Sequence, residues 1–273
     1  MPHNRLSRRQ LSQIHKEHPT AMLRRTLRII LPALLLWPLW PGGGEAQSVV
    51  QEREYDQCIA AAMRDPKIGF ERAIAWNSLG GGVAARHCVA VALYGLRHFG
   101  EAALRLERLA QENKEAGLRV SLLGQAGNAW LMAGEFERAN AALSAGLELA
   151  PDNIDLLIDR SLVLAEARNY WETVDDLNRA LDIDPDNTDA LIFRASAYRY
   201  LDSLDLAADD VNRALELRGD HVAAFLERGN IRRLQGDDAG ARDDWLRAIK
   251  LAPNSPAAGA ARRNLEKMDI KAE

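Results

Sequence analysis

The sequence predicts an all-α fold assembled from tandem helical pairs, and three observations predict it. Small and large apolar residues recur at a spacing of 34 through residues 120–253, with proline or glycine closing each unit. Alanine and leucine are abundant while runs of Val, Ile and Thr are missing, which favours helix over strand. Hydrophobic residues make up 47% of the 273-residue chain and charged residues 27%, ordinary proportions for a globular body of one or two domains.

Residues 1–46 read as an N-terminal extension and export signal. They hold seven Lys/Arg against two Asp/Glu, leaving 28 against 37 in the remainder, so a formal net charge of −4 conceals an acidic body of −9. Arg24, Arg25 and Arg28 supply a positive n-region, residues 29–40 an apolar stretch interrupted by Pro32 and Pro38, and Gly44-Glu45-Ala46 the small residues before a cut, so that Gln47 opens the mature chain. The apolar stretch is about 12 residues where a spanning helix needs about 20. A cleaved signal is therefore expected, with an uncleaved anchor as the alternative. No Cys follows the stretch to take a lipid, and Arg24-Arg25 is a weak twin-arginine hint. Either Met22 is the true start or Met1 opens a polar extension. The expected location is the periplasm or the exterior, with no stable membrane anchor once the signal is cut.

Residues 47–119 are expected to form a divergent helical front. Within it, 50–64 and 66–78 read as a pair, with Pro66 at a helix start and Gly80-Gly81-Gly82 breaking the second helix. Residues 83–116 carry Ala90, Leu93, Phe99, Ala102 and Leu106 at the spacings of a weakened unit, followed by a three-residue insertion before Val120. Cys58 and Cys88 are the only cysteines. In an oxidising compartment they are expected to pair, a bridge contributing about 3–4 kcal/mol in the chain-entropy view. Free buried thiols or a redox pair are the alternatives.

Residues 120–253 hold four units in phase. Gly127, Ser161, Ala195 and Gly229 recur 34 apart, and so do Ala139, Thr173, Ala207 and Ala241; small residues at these places let two helices approach closely. Leu143, Leu177, Val211 and Trp245 lie between them, and Pro151, Pro185, Gly219 and Pro253 close the units. Each unit reads as helix, short turn, helix, short turn. In residues 254–273, Ser255 and Pro256 read as the start of a capping helix with Ala261, Leu265 and Met268 on one apolar stripe. A stacked array needs such a polar cover at its open end.

These residues strongly resemble the tetratricopeptide repeat family, whose 34-residue unit has small residues at its eighth, twentieth and twenty-seventh places and proline near its end. The resemblance implies a right-handed α-solenoid whose first helices line a concave groove. The groove places are Asn128, Leu131 and Met132; Ile158, with Leu162 and Glu166; Ile192, Ser196, Arg199 and Tyr200; and Leu226, Asn230, Arg233 and Leu234. They mix apolar anchors with Asn, which can bond a peptide backbone, and Arg, which can pair with a carboxylate. The alternative is that the apolar members pack between units. Some family members clamp a C-terminal carboxylate with Lys and Asn. The fifth places here are Gly124, Ile158, Ile192 and Leu226, so that specificity does not carry over.

Arg160, Arg194 and Arg228 recur at 34, as do Asp176, Asp210 and Asp244. Equal numbers at one period favour structural ion pairs over a charge ladder for an anionic ligand. No phosphate loop, Gly-x-Ser-x-Gly or His-Glu-x-x-His occurs, and neither a catalytic residue, a metal site nor a cofactor is expected. An acidic body also speaks against nucleic acid. The expectation is a non-catalytic scaffold or adaptor of the bacterial cell envelope that binds a protein or peptide partner in its groove. The alternatives are an enzyme with a site in residues 50–116, where His87 and His98 lie, and a self-assembling structural solenoid.

Overall fold

The computed structural model describes residues 43–272, with side chains from 50 to 270. The expected signal elements, Arg24, Arg25, Arg28 and residues 29–40, and the two candidate starts lie outside the described residues. Among the described residues there are thirteen helices and no strand. They form two compact units, one ending at Ala133 and the other beginning at Gly134.

The first unit contains α1 (Gly43–Arg64), α2 (Pro66–Ser78), α3 (Gly82–Gly95), α4 (Phe99–Glu112) and α5 (Ala116–Ala133). The Asp65 carboxylate accepts from the backbone N–H of Lys67 and Ile68, at 3.1 and 3.2 Å, and Pro66 follows at the first helical place, so α2 starts where its residues dictate. α1 packs on α2 and α3, and each later helix on the one before it. Cys58 and Cys88 are joined, tying α1 to α3 with 6.2 Å between their Cα atoms. The three-residue insertion forms no loop. It lengthens α5 to 18 residues, and the Glu115 carboxylate accepts from the backbone N–H of Gly117 and Leu118 at its start.

The second unit contains α6 (Phe136–Leu149), α7 (Ile154–Glu166), α8 (Tyr170–Ile183), α9 (Thr188–Tyr200), α10 (Leu204–Leu217), α11 (Val222–Gln235), α12 (Asp238–Leu251) and α13 (Pro256–Ala272). α7, α9, α11 and α13 begin at 154, 188, 222 and 256, so the 34-residue phase runs on into α13. α7, α9 and α11 each pack most closely on the following helix, and α9 and α11 also on the one before. Leu143, Leu177 and Val211 are fully buried and Trp245 is 3% exposed, so this place in the period belongs to the core. At Gly229 a Cβ would stand 2.5 Å from Trp245 Nε1, so only glycine lets α11 and α12 meet there.

The turn inside each pair needs one residue in the left-handed region. Gly134 (φ 77°), Arg168 (62°), Asp202 (59°) and Gly236 (86°) occupy it, again at 34-residue spacing. The next backbone N–H then reaches back to a carbonyl five residues earlier: Asn169 to Leu164 at 2.8 Å, Ser203 to Tyr198 at 2.9 Å and Asp237 to Arg232 at 2.9 Å. Arg97 (65°) does the same work in the first unit, followed by His98 bonding Leu93 at 2.9 Å. Between pairs, Asn153, Asn187 and Ser255 cap the next helix with side-chain oxygens at 3.0, 3.0 and 3.1 Å. His221 holds the same place before α11 and makes no such bond.

Candidate functional site

The repeated Arg and Asp residues meet as forks inside each pair. Arg160 donates to both oxygens of Asp176 at 2.7 and 2.5 Å, Arg194 to Asp210 at 2.8 and 2.7 Å, and Arg228 to Asp244 at 2.9 and 2.7 Å. The free Nη1 of each Arg reaches the second helix of the preceding pair, at Ser144 (3.0 Å), Asn178 (2.7 Å) and Asn212 (3.5 Å). Each Arg thus joins three helices. The hydrogen bond to the carboxylate, opposed by burial, raises the Arg160 and Arg194 guanidiniums above their ordinary value. With its charge matched by a buried carboxylate, each guanidinium serves the packing of the helices.

Two adjoining clefts open on the first-helix face of the second unit. One, of about 620 Å3, lies between α7 and α9 and is lined by Leu162, Glu166, Tyr170, Ser196 and Tyr200 among others. The other, of about 640 Å3, lies between α9, α11 and α13; Arg199, Tyr200, Leu226, Asn230, Arg233 and Leu234 line it from α9 and α11. Tyr200 borders both. Its ring stacks on Tyr170, with centroids 4.6 Å apart and planes at 2°, and the Arg199 guanidinium carbon lies 4.3 Å from its centroid. The rim is apolar and open: Tyr200 and Leu234 are each 57% exposed.

Nine groove residues expected from the sequence therefore line these clefts: Leu162, Glu166, Ser196, Arg199, Tyr200, Leu226, Asn230, Arg233 and Leu234. Ile158 is half-buried beside them and lines neither. Ile192 is not a surface residue. It is 5% exposed, because α9 is flanked by α7, α8, α10 and α11 and its sides are covered. Asn128 and Leu131, half-buried, and Met132, exposed, lie on α5 in the first unit. Arg199 is also not the open cation its groove place implies. Its Nε donates to Glu227 Oε1 at 2.5 Å, and Asn230 Nδ2 donates to the other oxygen at 3.1 Å. Asn230 Oδ1 in turn accepts from Trp245 Nε1 at 3.2 Å and from Asn264 Nδ2 at 2.8 Å. Sequence reasoning missed Glu227, a buried carboxylate bonded to Arg199 and Asn230, and the contribution of α13. Asn264 follows Asn230 by 34 residues, a signal that was present.

The first unit holds a buried polar chain. His87 is fully buried; its Nδ1 lies 3.0 Å from the Tyr55 hydroxyl and its Nε2 2.8 Å from Gln125 Oε1. Gln125 Nε2 donates to Ser121 Oγ at 3.3 Å. The chain Tyr55–His87–Gln125–Ser121 thus gives both ring nitrogens a polar partner. Burial pushes the imidazole down to about 4, so it is neutral at physiological pH. Both ring nitrogens are occupied by protein groups and no surface reaches them. Among the described residues no group of three or more His, Cys, Asp or Glu is placed to hold a metal ion, and no helix is long and apolar enough to cross a membrane.

No family model matches the chain, and no curated protein matches it. Solved structures do. MamA residues 41 to the end, from Desulfovibrio magneticus RS-1, superposes with a TM-score of 0.55 at 17% identity, over 64% of this chain and 97% of that one. YrrB, described as a TPR protein with an unusual peptide-binding site, gives 0.50 at 18% identity over 71% and 97%. The fold is that of tetratricopeptide repeat proteins. A further MamA crystal structure agrees, at 0.52 and 14% identity over 60% and 94%. Within the second unit, α7–α8, α9–α10 and α11–α12 are three complete repeats, and α13 stands where the first helix of another would.

Proposed function

We propose that the chain is a non-catalytic scaffold of the bacterial cell envelope, exported as a cleaved precursor, that holds a segment of a partner protein on the first-helix face of its second unit. One observation carries this reading: Tyr200, an exposed aromatic, stands on the wall shared by two adjoining clefts of several hundred Å3, the concave and partly apolar geometry that takes ligands. The peptide-binding site named for YrrB is consistent with that use of the fold, though the fold is all the two share. A body of net charge −9 gives no footprint for nucleic acid. The bridge between Cys58 and Cys88 suits an oxidising compartment.

Capture of partners from an envelope extract tests the reading. Tyr200→Ala combined with Arg233→Ala should remove the captured protein while leaving helix content unchanged. The control on the front of the chain is Ile68→Asp, at a 57% exposed position; His87→Ala would empty the buried core of the first unit and report folding instead. Capture that survives the double change and is lost with Ile68→Asp places binding on the first unit and overturns the proposal. Export is tested by intact mass of protein recovered outside the cytoplasm of a two-membrane bacterium: the expected species begins at Gln47, and one retaining Met1 or Met22 contradicts it.

A further inference from the structure

α13 is in phase with the first helices, and its inner side faces the cleft between α9 and α11. Lys267, Met268 and Ile270 line that cleft with Asn264, whose amide is bonded to Asn230. Every charged residue lining the cleft is a cation: Arg199, Arg233 and Lys267, and no carboxylate. Two of the three are compensated by carboxylates, which leaves one unpaired positive charge on the cleft wall in a body whose net charge is −9. Arg199 is held by Glu227, and Arg233 by Asp238 at 3.1 Å, while Lys267 has no ion pair among the described residues. Around these cations stand the exposed side chains of Leu234 and Ile270, at 57% and 75%.

Resting on the scaffold reading above, we infer that this cleft selects an acidic segment of a partner polypeptide carrying a large apolar side chain, and that α13 is one wall of the site as well as the end of the array. The apolar side chain lies against Leu226, Leu234 and Ile270. Carboxylates flanking it face Lys267 and Arg233 from the two walls, where complementary charge sets the choice of partner. Asn264 spends one N–H on Asn230 and keeps its Oδ1 to accept a backbone N–H of the segment.

The test uses the full mature chain and three fluorescein-labelled, amidated 12-residue peptides. They share a central Leu-Phe pair and differ in its flanks, four Glu, four Ser or four Lys; amidation removes the terminal carboxylate from consideration. By fluorescence polarisation the Glu-flanked peptide should bind at least about tenfold more tightly than the Ser-flanked one, with an advantage that shrinks as salt rises. Lys267→Glu, at an exposed position, should abolish that advantage and transfer preference to the Lys-flanked peptide, a reversal that a structural role of Lys267 would not produce. Leu234→Asp should weaken all three. Equal binding of the Glu- and Ser-flanked peptides, or an unchanged preference in Lys267→Glu, overturns the inference and leaves the scaffold reading standing. So does failure of all three peptides while extract capture still depends on Tyr200. Dimerisation of the mature chain in sedimentation, lost in Lys267→Glu, would make the occupant a second copy and likewise overturn it.

Discussion

At the scale of single residues, His87 shows how burial decides chemistry. In water an imidazole titrates near 6.5, and here burial lowers it to about 4. The stabilising effect of the neutral ring is complete above the unfolded value and is lost as pH falls from 6.5 through 4, because in that range the unfolded chain binds a proton the folded one resists. The difference is about 3 kcal/mol. Urea unfolding between pH 7 and pH 4 should show this loss in the wild type and a flatter profile in His87→Gln, whose starting stability is lower; parallel profiles would refute it. Arg168 illustrates the opposite case, an exposed residue whose backbone matters. It sits at φ 62°, where a Cβ is crowded. Arg168→Gly should raise stability by about 0.5–1 kcal/mol, and Gly236→Ala, at the equivalent place, should lower it by about 1 kcal/mol. Thermal melts of both variants check the pair.

At the scale of helices, the Arg forks set how one pair sits on the next. Arg194 is half-buried and Asp210 is 7% exposed, so removing the guanidinium leaves a desolvated carboxylate with no counter-charge. Arg194→Ala should cost about 3 kcal/mol, whereas Arg194→Met with Asp210→Leu should come within about 1 kcal/mol of the wild type, since an apolar pair needs no solvation. If the single change costs no more than the double one in chemical denaturation, the fork is not what holds that contact. Helix starts show the same economy. Asn153, Asn187 and Ser255 cap α7, α9 and α13, and His221 leaves α11 uncapped with its Nδ1 buried and unbonded. His221→Asn should therefore gain about 1 kcal/mol, read as a raised melting temperature; a fall would show that the 3.3 Å contact from His221 to Asp189 outweighs the cap.

For the whole molecule, the two units are stabilised differently. The second has three Arg forks, full repeats and a phase carried into α13. The first lacks the regular pattern and has instead a covalent bridge across 30 residues and the Tyr55–His87–Gln125 chain. Reduction of the bridge, or Cys58→Ala with Cys88→Ala, should cost the first unit about 3 kcal/mol through the freedom returned to its unfolded chain. Hydrogen exchange resolves where that falls: protection should drop in α1 to α3 and hold in α7 to α12. A uniform drop across both would show that the units unfold as one.

The sequence by itself determined the helices, their pairing and the phase of the array, because these follow from small residues at close approaches, large ones between them and turn formers after them, all repeated at one spacing. It also determined the forks, since each Arg and Asp sit 16 residues apart in every complete unit and meet across one turn. The left-handed turn places went unread: glycine stands at 134 and 236, but Arg168 and Asp202 adopt that conformation against their preference and hide the period. Only the tertiary structure decided the rest. Arg199 meets Glu227 across 28 residues, His87 meets Tyr55 and Gln125 across 32 and 38, and Ile192 is buried on a helix that packs against four others. None of these contacts repeats along the chain, so no period announces them. They exist because packing brings particular side chains together away from water, and that is how α13 comes to line a cleft as well as cover the last pair.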